Sequence, residues 1–509
     1  MVKDKLIKTT QSLVESFTKV TMQMTRDADR VVATVLKPMR AKFFSKGWGP
    51  PEMVLQMCAM AIEQKLQLEK YSPVGQDAIS WDPVDSKDST DTTQVLEGRF
   101  RSPVAHLLSP EAQTAHFQLV LPRASLPNRG RFVPDSLDPV EVDSVFSHLV
   151  TQHLQPLLKS LAAASDSSTC ETAFRAQNAL QQAVALRESI PVCALFPATG
   201  EHGFTRRRRT IAEPLARKFG IGSLILVNPY YHTRKPRAQS SSSLLHAIDL
   251  MTSGCALIHE FAFLKRYLSQ QQSLRFGPFG VSGISMGGIN SLLALSVVPG
   301  PLAAVPVTAP YSAAPVFEDG ALSEMVDWKA LKNDGFPIHA VVPDPRLPRS
   351  SEASEAEAEA SSRRKESRTT RQLLFDLFDM TDLRHYRAPE APHATIQIAA
   401  PHDHYAPRSG TLLKEFWPQS ELRWLPNTGH LSSYIFGASK NQEAVRDAFV
   451  RLLAGPSEKP GRVVVISDDQ DDEFDYQGKR ASDLGSISAA VDSLGHPMNL
   501  LFSESPPIL

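Results

Sequence analysis

The sequence feature that most constrains the fold is a glycine-rich stretch, VSGISMGGIN, at positions 281–290. An apolar run, FGPFGVSGI, leads up to Ser285, and small and apolar residues follow it. Gly283 and Gly287 lack side chains, so the backbone can turn sharply on both sides of the serine. In such a pattern a strand enters, a helix leaves, and the serine hydroxyl stands above the end of a sheet. We therefore predict a strand-turn-helix unit with Ser285 as a candidate nucleophile.

A long uncharged stretch, residues 276–317, surrounds this motif. A hydropathy scan alone would suggest a membrane span of about 20 residues there. Glycine and proline interrupt the stretch too often for one continuous helix, at positions 283, 287, 288, 299, 300, 301, 306, 310 and 315. We therefore predict a buried strand, turn, helix and strand, and no membrane span.

Strand-like and helix-like segments alternate along most of the chain. Short apolar runs predict strands at 97–107, 116–121, 190–196, 221–227, 279–283, 302–307, 394–400 and 421–425. Helical spacing of apolar residues predicts helices from about 206 and at 240–270, 287–297 and 442–454. This alternation predicts an α/β fold with a doubly wound, mostly parallel sheet.

The predicted boundaries divide the chain into three regions. Residues 1–94 form an N-terminal arm with helical and loop segments, 95–454 form the α/β domain, and 455–509 form an acidic mobile tail. Within that tail, RVVVI at 462–466 is suited to a short edge strand.

Two insertions interrupt the predicted α/β domain. Leucines at helical spacing predict a helical insertion at 138–188. Residues 318–393 break the alternation, and we predict that they form a cap over the carboxyl edge of the sheet. Within the cap, residues 349–371 are highly charged and of low complexity, which predicts disorder.

The N-terminal residues 1–46 are basic, with ten lysines and arginines against four acidic residues, and they are rich in hydroxyl side chains. Apolar residues at helical spacing make this stretch similar to a mitochondrial targeting segment. The early Asp4 and the absence of arginine before Arg26 favour the alternative, a surface helix packed on the domain. We expect an intracellular protein, with mitochondria as one candidate compartment.

The charge balance and the cysteines exclude several classes of partner. A formal net charge of -1 gives no global attraction to nucleic acid or to an anionic membrane, so we predict no nucleic-acid partner and at most a local, peripheral membrane contact. The four cysteines are far apart and form no C-x-x-C pair, which argues against a zinc site or a disulfide framework. We predict no metal and no cofactor.

A serine nucleophile needs an imidazole base that a carboxylate orients. Asp403 follows the predicted strand ATIQIAA, and His430 follows the predicted strand ELRWLP, in the chain order expected after Ser285. Taken singly, Asp403 has the alternative of a turn aspartate and His430 that of a loop histidine. His402 and His404 beside Asp403 raise a rival metal site, but neighbouring side chains on an extended chain point in opposite directions. The joint pattern favours a catalytic triad.

An oxyanion formed at Ser285 needs backbone donors. The N–H of Met286 begins the predicted helix, where the helix dipole favours negative charge. A second donor is expected from the turn after the strand 190–196, which reads FPATGEHGF, with Thr199 or Gly200 as the candidate.

Two basic clusters follow strands that end at the same sheet edge. They consist of Arg206, Arg207, Arg208 and Arg209 in one run, and Arg234 and Lys235 in the other. We predict that they form a rim that binds an anionic group of the substrate. The alternatives are a solvated helix surface and a nuclear-localisation signal.

Seven blocks in order make the sequence similar to the α/β-hydrolase domain-containing protein 18 family, a eukaryotic family. They are FSKGWGPPE, ATGEHGFTRRRRT, LVNPYYHTRKP, GISMGG, VDWKAL, HDHYAPRSG and GHLSSYIF, spread over residues 43–60 and 95–454. The resemblance implies an α/β-hydrolase fold with Ser285, Asp403 and His430 in the triad positions. It also implies a mitochondrial setting and deacylation of phospholipid, cardiolipin in particular.

Three functions are compatible with these features. The first is a serine hydrolase that cleaves acyl esters, of lipase or phospholipase type, through an acyl-serine intermediate. The second is a transacylase that uses the same triad with an alcohol as acceptor. The third is a non-catalytic lipid-binding or scaffold protein that keeps the fold; reaction with a serine-directed fluorophosphonate separates it from the two enzymes.

Overall fold

A computed structural model is the structure described here. It describes residues 42–54, 56–57, 78–82, 87–123, 189–318, 320, 322–336, 369–406, 409–456, 461–466 and 471–474. Most of the N-terminal segment 1–46, the whole helical insertion 138–188 and residues 349–368 of the charged segment lie outside these ranges. The corresponding expectations stay predictions.

The described strands form one mixed sheet of eleven strands in the order β1-β2-β3-β5-β4-β6-β7-β8-β9-β10-β11. Their bounds are β1 Ser80–Trp81, β2 Thr93–Arg101, β3 Thr114–Pro122, β4 Ser189–Phe196, β5 Gly222–Leu226, β6 Arg275–Ile284, β7 Ala303–Val307, β8 Ile396–Ala399, β9 Glu421–Trp424, β10 Val463–Ile466 and β11 Asp471–Phe474. Seven neighbouring strands, from β5 and β4 through to β10, run parallel. β3 joins β5 antiparallel.

Helices cover both faces of this sheet. Helix α1 consists of Thr205–Arg207, a π-helical turn Arg208–Ala212 and Glu213–Phe219. The other main helices are α2 Ala247–Ser269, α3 Met286–Val297, α4 Ala314–Glu318, α5 Trp328–Asp334, α6 Thr370–Asp379, α7 Ser409–Phe416, α8 His430–Phe436 and α9 Ala438–Ala454. All eight side chains of β4, SIPVCALF, are buried, as expected for a strand covered on both faces.

Alternate residues of β4 divide the core into two clusters. Ala194 and Phe196 pack in the cluster that contains Phe261 of α2. Cys193 and Leu195 pack in the other cluster, with residues of α1 and α9. Because side chains of a strand alternate between the faces, this division means that α2 and α3 cover one face and α1 and α9 the other. The predicted doubly wound, mostly parallel α/β sheet is confirmed.

The uncharged stretch 276–317 contains β6, α3 and β7, the predicted strand, helix and strand. Of the helices in the described ranges, α2 is long and apolar enough to cross a membrane, with a mean hydropathy of 1.3 over its most apolar window. However, 83% of that window is buried inside the protein. Packing in the protein core therefore accounts for the apolar composition of α2.

Part of the predicted N-terminal arm packs in the core. Phe44 and Trp48 are almost fully buried, and the Trp48 indole N–H donates to the carbonyl of Leu331 in α5 at 2.9 Å. The backbone N–H of Ala247, at the start of α2, donates to the carbonyl of Gly47. Residues 42–54 thus connect α2 with the predicted cap, an arrangement that the sequence pattern did not indicate.

The strand prediction differs from the structure at some ends. β2 ends at Arg101, whereas the apolar pattern extended it to Leu107; Pro103, which has no N–H to donate, lies just beyond, and a 3-10 turn follows at Ala105–Leu107. At the other edge of the sheet, β10 pairs parallel with β9, as suggested for RVVVI. The acidic residues of β11 add a strand inside the predicted mobile tail.

Candidate active site

Ser285 lies at a sharp turn between β6 and α3. Its φ of 57° and ψ of -118° are strained for a residue with a Cβ, at a cost of about 1–3 kcal/mol. The Ser285 backbone N–H donates to the carbonyl of Val307 at 3.0 Å, which ties the turn to the neighbouring strand β7. The turn therefore holds the serine at the carboxyl end of the sheet.

Two glycines allow the backbone to approach itself closely at this turn. A Cβ on Gly283 would lie 2.4 Å from the carbonyl group of Gly287. A Cβ on Gly287 would lie 2.5 Å from the carbonyl oxygen of Phe196, at the end of β4. Neither position tolerates a side chain, so the G-x-S-x-G spacing is a packing requirement of the turn.

Asp403 and His430 form a buried pair. His430 Nδ1 lies 2.8 Å from Asp403 Oδ2, and both residues are less than a tenth exposed. The other carboxylate oxygen accepts the backbone N–H groups of Tyr405 and Ala406, each at 2.8 Å. The Tyr405 ring packs on the imidazole with ring centroids 4.9 Å apart. These contacts fix the position of the carboxylate and the orientation of the imidazole.

A cavity of about 330 Å³ brings the candidate residues together. Ser285 and His430 both line it, as do Met286, Thr199 and Gly200 of the predicted oxyanion site. The rest of its wall is mainly apolar and comes from α2, α3, α4 and the region of the predicted cap, including Met251, Ile258, Leu293, Phe317 and Leu322.

Cys255 also lines the cavity and is a second potential nucleophile. Burial raises the pKa of its thiol to about 12, so the thiol stays protonated and unreactive near neutral pH. In the part of the chain that the structure describes, no three His, Cys, Asp or Glu side chains are grouped as they would be around a metal ion. Asp403, the centre of the rival H-D-H pattern, contacts His430 instead.

The turn after β4 is held by Glu201. Its carboxylate accepts the N–H of Ala198 at 3.1 Å, and its own N–H donates back to the Ala198 carbonyl at 3.2 Å. The backbone N–H groups of Thr199 and Gly200 donate to no described residue. Gly200 has a φ of 82°. The turn therefore leaves two backbone donors beside the cavity, and the first turn of α3 leaves that of Met286.

Arg207 also holds this turn, through its contact with Glu201. Its Nε lies 3.2 Å from a Glu201 carboxylate oxygen, and both side chains are buried. The guanidinium also donates to the carbonyls of Leu195 and Gly203. The sequence analysis did not identify this role of Glu201, because the spacing of residues in GEHGFTRR does not show that Glu201 pairs with Arg207.

Arg206 contacts the helix that carries His430. Its guanidinium carbon lies 3.2 Å from the centroid of the Tyr434 ring in α8, and an Nη donates to the Tyr434 carbonyl. Burial first, and then the Glu201 carboxylate, raise the pKa of the Tyr434 phenol, which keeps it neutral at physiological pH. Arg206 and Arg207 thus support the candidate site from outside the cavity.

Two of the four remaining basic residues, Arg208 and Arg234, are buried in ion pairs. Arg208 is buried and paired with Asp88 and Glu213, while Arg209 is exposed. Arg234 is fully buried and forms two hydrogen bonds to the Glu260 carboxylate, at 2.9 and 2.7 Å. Lys235 donates to the carbonyl of Gln239 at 2.7 Å.

None of the six basic residues lines the cavity. The rim hypothesis is therefore corrected for Arg207, Arg208 and Arg234, whose charges are buried and neutralised within the protein. The reason is that a guanidinium taken out of water needs a carboxylate or carbonyls around it, and the core supplies them here.

A family model identifies the family to which this chain belongs. The family model described as alpha/beta hydrolase domain containing 18 matches residues 41–134 and 167–451. The chain belongs to this family. The sheet order and the buried strand-turn-helix at Ser285 agree with it, so the predicted α/β-hydrolase fold is confirmed.

The solved structures to which this chain is similar include two esterases. Acetyl xylan esterase from Paenibacillus sp. R4 is 11% identical with a TM-score of 0.41, and the match covers 78% of this chain and 99% of that one. A cold-adapted esterase from an Arctic intertidal metagenomic library is 11% identical with a TM-score of 0.37, covering 73% and 99%. Likeness at this level does not bear on the activity of this α/β-hydrolase.

Proposed function

We propose that this α/β-hydrolase cleaves carboxylic esters, with Ser285 as nucleophile, His430 as general base and Asp403 as the group that orients His430. The observation that carries the proposal is the buried 2.8 Å contact between His430 and Asp403, because His430 lines the same cavity as Ser285. A serine on a strained turn, a fixed imidazole and free backbone donors are the parts that acyl transfer requires.

In the proposed reaction, Ser285 Oγ attacks the ester carbonyl carbon while His430 Nε2 takes the hydroxyl proton. Asp403 accepts the Nδ1–H of the imidazole and stabilises the imidazolium that forms. The N–H of Met286 and one N–H from the Thr199–Gly200 turn donate to the tetrahedral oxyanion. His430 then returns the proton to the leaving alcohol, and water cleaves the acyl-serine by the same steps.

We propose an acyl lipid as the substrate, with phospholipid as the class that the family resemblance implies and cardiolipin in particular. The mainly apolar cavity supports an acyl chain, because burying each methylene contributes about 0.8 kcal/mol. The six basic residues give no support to an anionic headgroup, since none lines the cavity. The phospholipid proposal therefore rests on the apolar cavity and on the resemblance.

A mitochondrial setting and peripheral membrane contact belong to the same proposal. The first rests on the basic, hydroxyl-rich residues 1–46 and on the resemblance. For the second, Ile435 gives support: it is 61% exposed and lies on α8, the helix that begins at His430.

Labelling with a fluorophosphonate tests the proposed function directly. The folded protein should react at one serine, and Ser285→Ala should remove the label. A wild-type protein that melts cooperatively but takes up no label would exclude both the hydrolase and the transacylase, and would favour a non-catalytic binding protein.

Glu201→Ala is expected to lower kcat by about 10- to 100-fold with a smaller change in KM. The change frees the Ala198 N–H and removes the partner of Arg207, so the turn that supplies an oxyanion donor shifts. Loss of one oxyanion donor costs about 100- to 1,000-fold in kcat, and a shifted donor should cost less. The measurement is kcat and KM for one neutral ester.

Asp88→Ala is the matched control for this prediction. It removes a carboxylate partner of the adjacent Arg208, whose side chain pairs with Asp88 and Glu213 and not with Glu201. Glu201→Gln is a second control, because the amide oxygen can still accept the Ala198 N–H. An equal fall in kcat for Asp88→Ala, or a change confined to KM for Glu201→Ala, would contradict the positioning role.

A further inference from the structure

Asn290 is a polar residue in an otherwise apolar part of the cavity. It lies on α3, five residues after Ser285, and lines the same cavity. The residue is only 5% exposed. Its nearest cavity-lining neighbours in sequence, Ile289 and Leu293, are apolar.

The Asn290 amide has no hydrogen-bond partner among the residues that the structure describes, whereas other polar groups of the cavity wall do. Thr381 Oγ1 donates to the carbonyl of Phe378 at 2.7 Å and accepts the N–H of Ala313 at 2.8 Å. The Tyr386 hydroxyl donates to the carbonyl of Met380 at 2.7 Å. Asn290 therefore differs from Thr381 and Tyr386, because no described group of the protein satisfies its amide.

The fold also leaves space for this amide. Gly254 of α2 faces it, and a Cβ at Gly254 would lie 3.0 Å from Asn290 Oδ1. Any larger residue at position 254 would press on the amide oxygen. The amide is thus presented to the contents of the cavity. Because covering a polar group without giving it a partner is destabilising, a substrate that fills the cavity beside Asn290 is bound best when it supplies a hydrogen bond.

We propose that Asn290 forms a polar subsite, and that the part of the substrate bound in the cavity carries a hydroxyl or carbonyl oxygen that hydrogen-bonds this amide. An amide offers both a donor and an acceptor, so a hydroxyl matches it fully and a carbonyl matches its N–H. A plain alkyl chain would cover the amide without satisfying it. A site built to bind a polar group rejects the analogue that lacks the group more strongly than an apolar pocket rejects a change of one methylene.

Helix geometry sets the position of this oxygen. Five residues of α-helix correspond to about 7.5 Å along its axis, and an extended chain spans that distance in about six bonds. Because the two side chains also differ in direction around the helix axis, the oxygen should lie at least about six bonds from the ester carbonyl, either along the acyl chain or in the alcohol part. This inference depends on the proposed function only in taking Ser285 as the point of attack.

The test compares matched esters. Ethyl decanoate and ethyl hydroxydecanoates with the hydroxyl at successive carbons examine the acyl side, and decanoate esters of hexanol and hexanediol examine the alcohol side. The wild-type protein should prefer one oxygenated ester over its plain counterpart by at least about 10-fold in kcat/KM. Asn290→Leu should abolish that preference, and Leu293→Ile, on the same helix, should retain the ratio.

Two further measurements keep the test independent of turnover. Asn290→Leu should melt at or above the wild-type temperature, because it breaks no hydrogen bond with a described residue and adds an apolar side chain to a mainly apolar cavity wall. Calorimetric binding of the preferred oxygenated ester and of its plain counterpart to Ser285→Ala should show the same preference, which would separate the subsite from a failure of the proposed chemistry. Equal binding of the two esters, or a preference that survives Asn290→Leu, would overturn the proposal.

Discussion

Ser285→Ala should reduce ester hydrolysis by about 10⁵- to 10⁶-fold, the size of loss seen when a triad nucleophile is removed. The melting temperature should not fall, because the change deletes one oxygen atom and leaves the turn glycines intact. The assay is turnover of a neutral ester, with thermal unfolding as the control for folding. Residual activity within 100-fold of wild type would show that Ser285 is not the nucleophile.

The strained backbone of Ser285 adds a second outcome. A glycine accepts a φ of 57° without the steric cost that a Cβ brings. Ser285→Gly should therefore be as inactive as Ser285→Ala but more stable by about 1 kcal/mol. That difference would measure how much stability the fold gives up to present a side chain at this turn.

His430→Ala and Asp403→Asn test whether the residues act as a unit. Each should lose most of the activity, Asp403→Asn less than His430→Ala, and combining either with Ser285→Ala should add little. If the activity losses of the single variants multiplied in the combined variants, the result would argue against a shared triad.

Arg234→Met should lower the free energy of unfolding by about 3–5 kcal/mol, because it leaves the carboxylate of Glu260 buried without its counter-ion. Both side chains have no exposed surface. Urea unfolding of the single variant and of Arg234→Met combined with Glu260→Leu gives the comparison. The double variant should regain part of the loss, since the buried charge is gone.

Recovery in the double variant should stay incomplete. Arg234 also donates to the carbonyls of Ala112 and Val227, at distances from 2.7 to 3.1 Å, and those carbonyls lose a donor in both variants. Once folded, Arg234→Met should affect anionic and neutral esters equally. A selective loss on anionic phospholipid would restore the rim hypothesis drawn from the sequence.

The sequence by itself determined the centre of the molecule. The apolar run FGPFGVSGI before Ser285 predicted a strand, the glycines around the serine predicted a turn, and the residues after it predicted a helix. All three predictions depend on local signals, namely apolar runs, the periodicity of apolar residues and glycine. Chain order after the strands then singled out Asp403 and His430. The structure brings these two within 2.8 Å, at positions 27 residues apart.

Only the tertiary structure decided which charged groups are buried in ion pairs and lie away from the cavity. Arg207, Arg208 and Arg234 resemble solvated or anion-binding arginines in sequence, but their carboxylate partners are set by packing: Asp88 lies 120 residues before Arg208, and Glu260 lies 26 residues after Arg234. The same holds for the burial of Trp48 against α5 and for the isolated amide of Asn290. Periodicity and turn chemistry act over a few residues, whereas the pairing of buried charges depends on which distant segments meet when the sheet assembles.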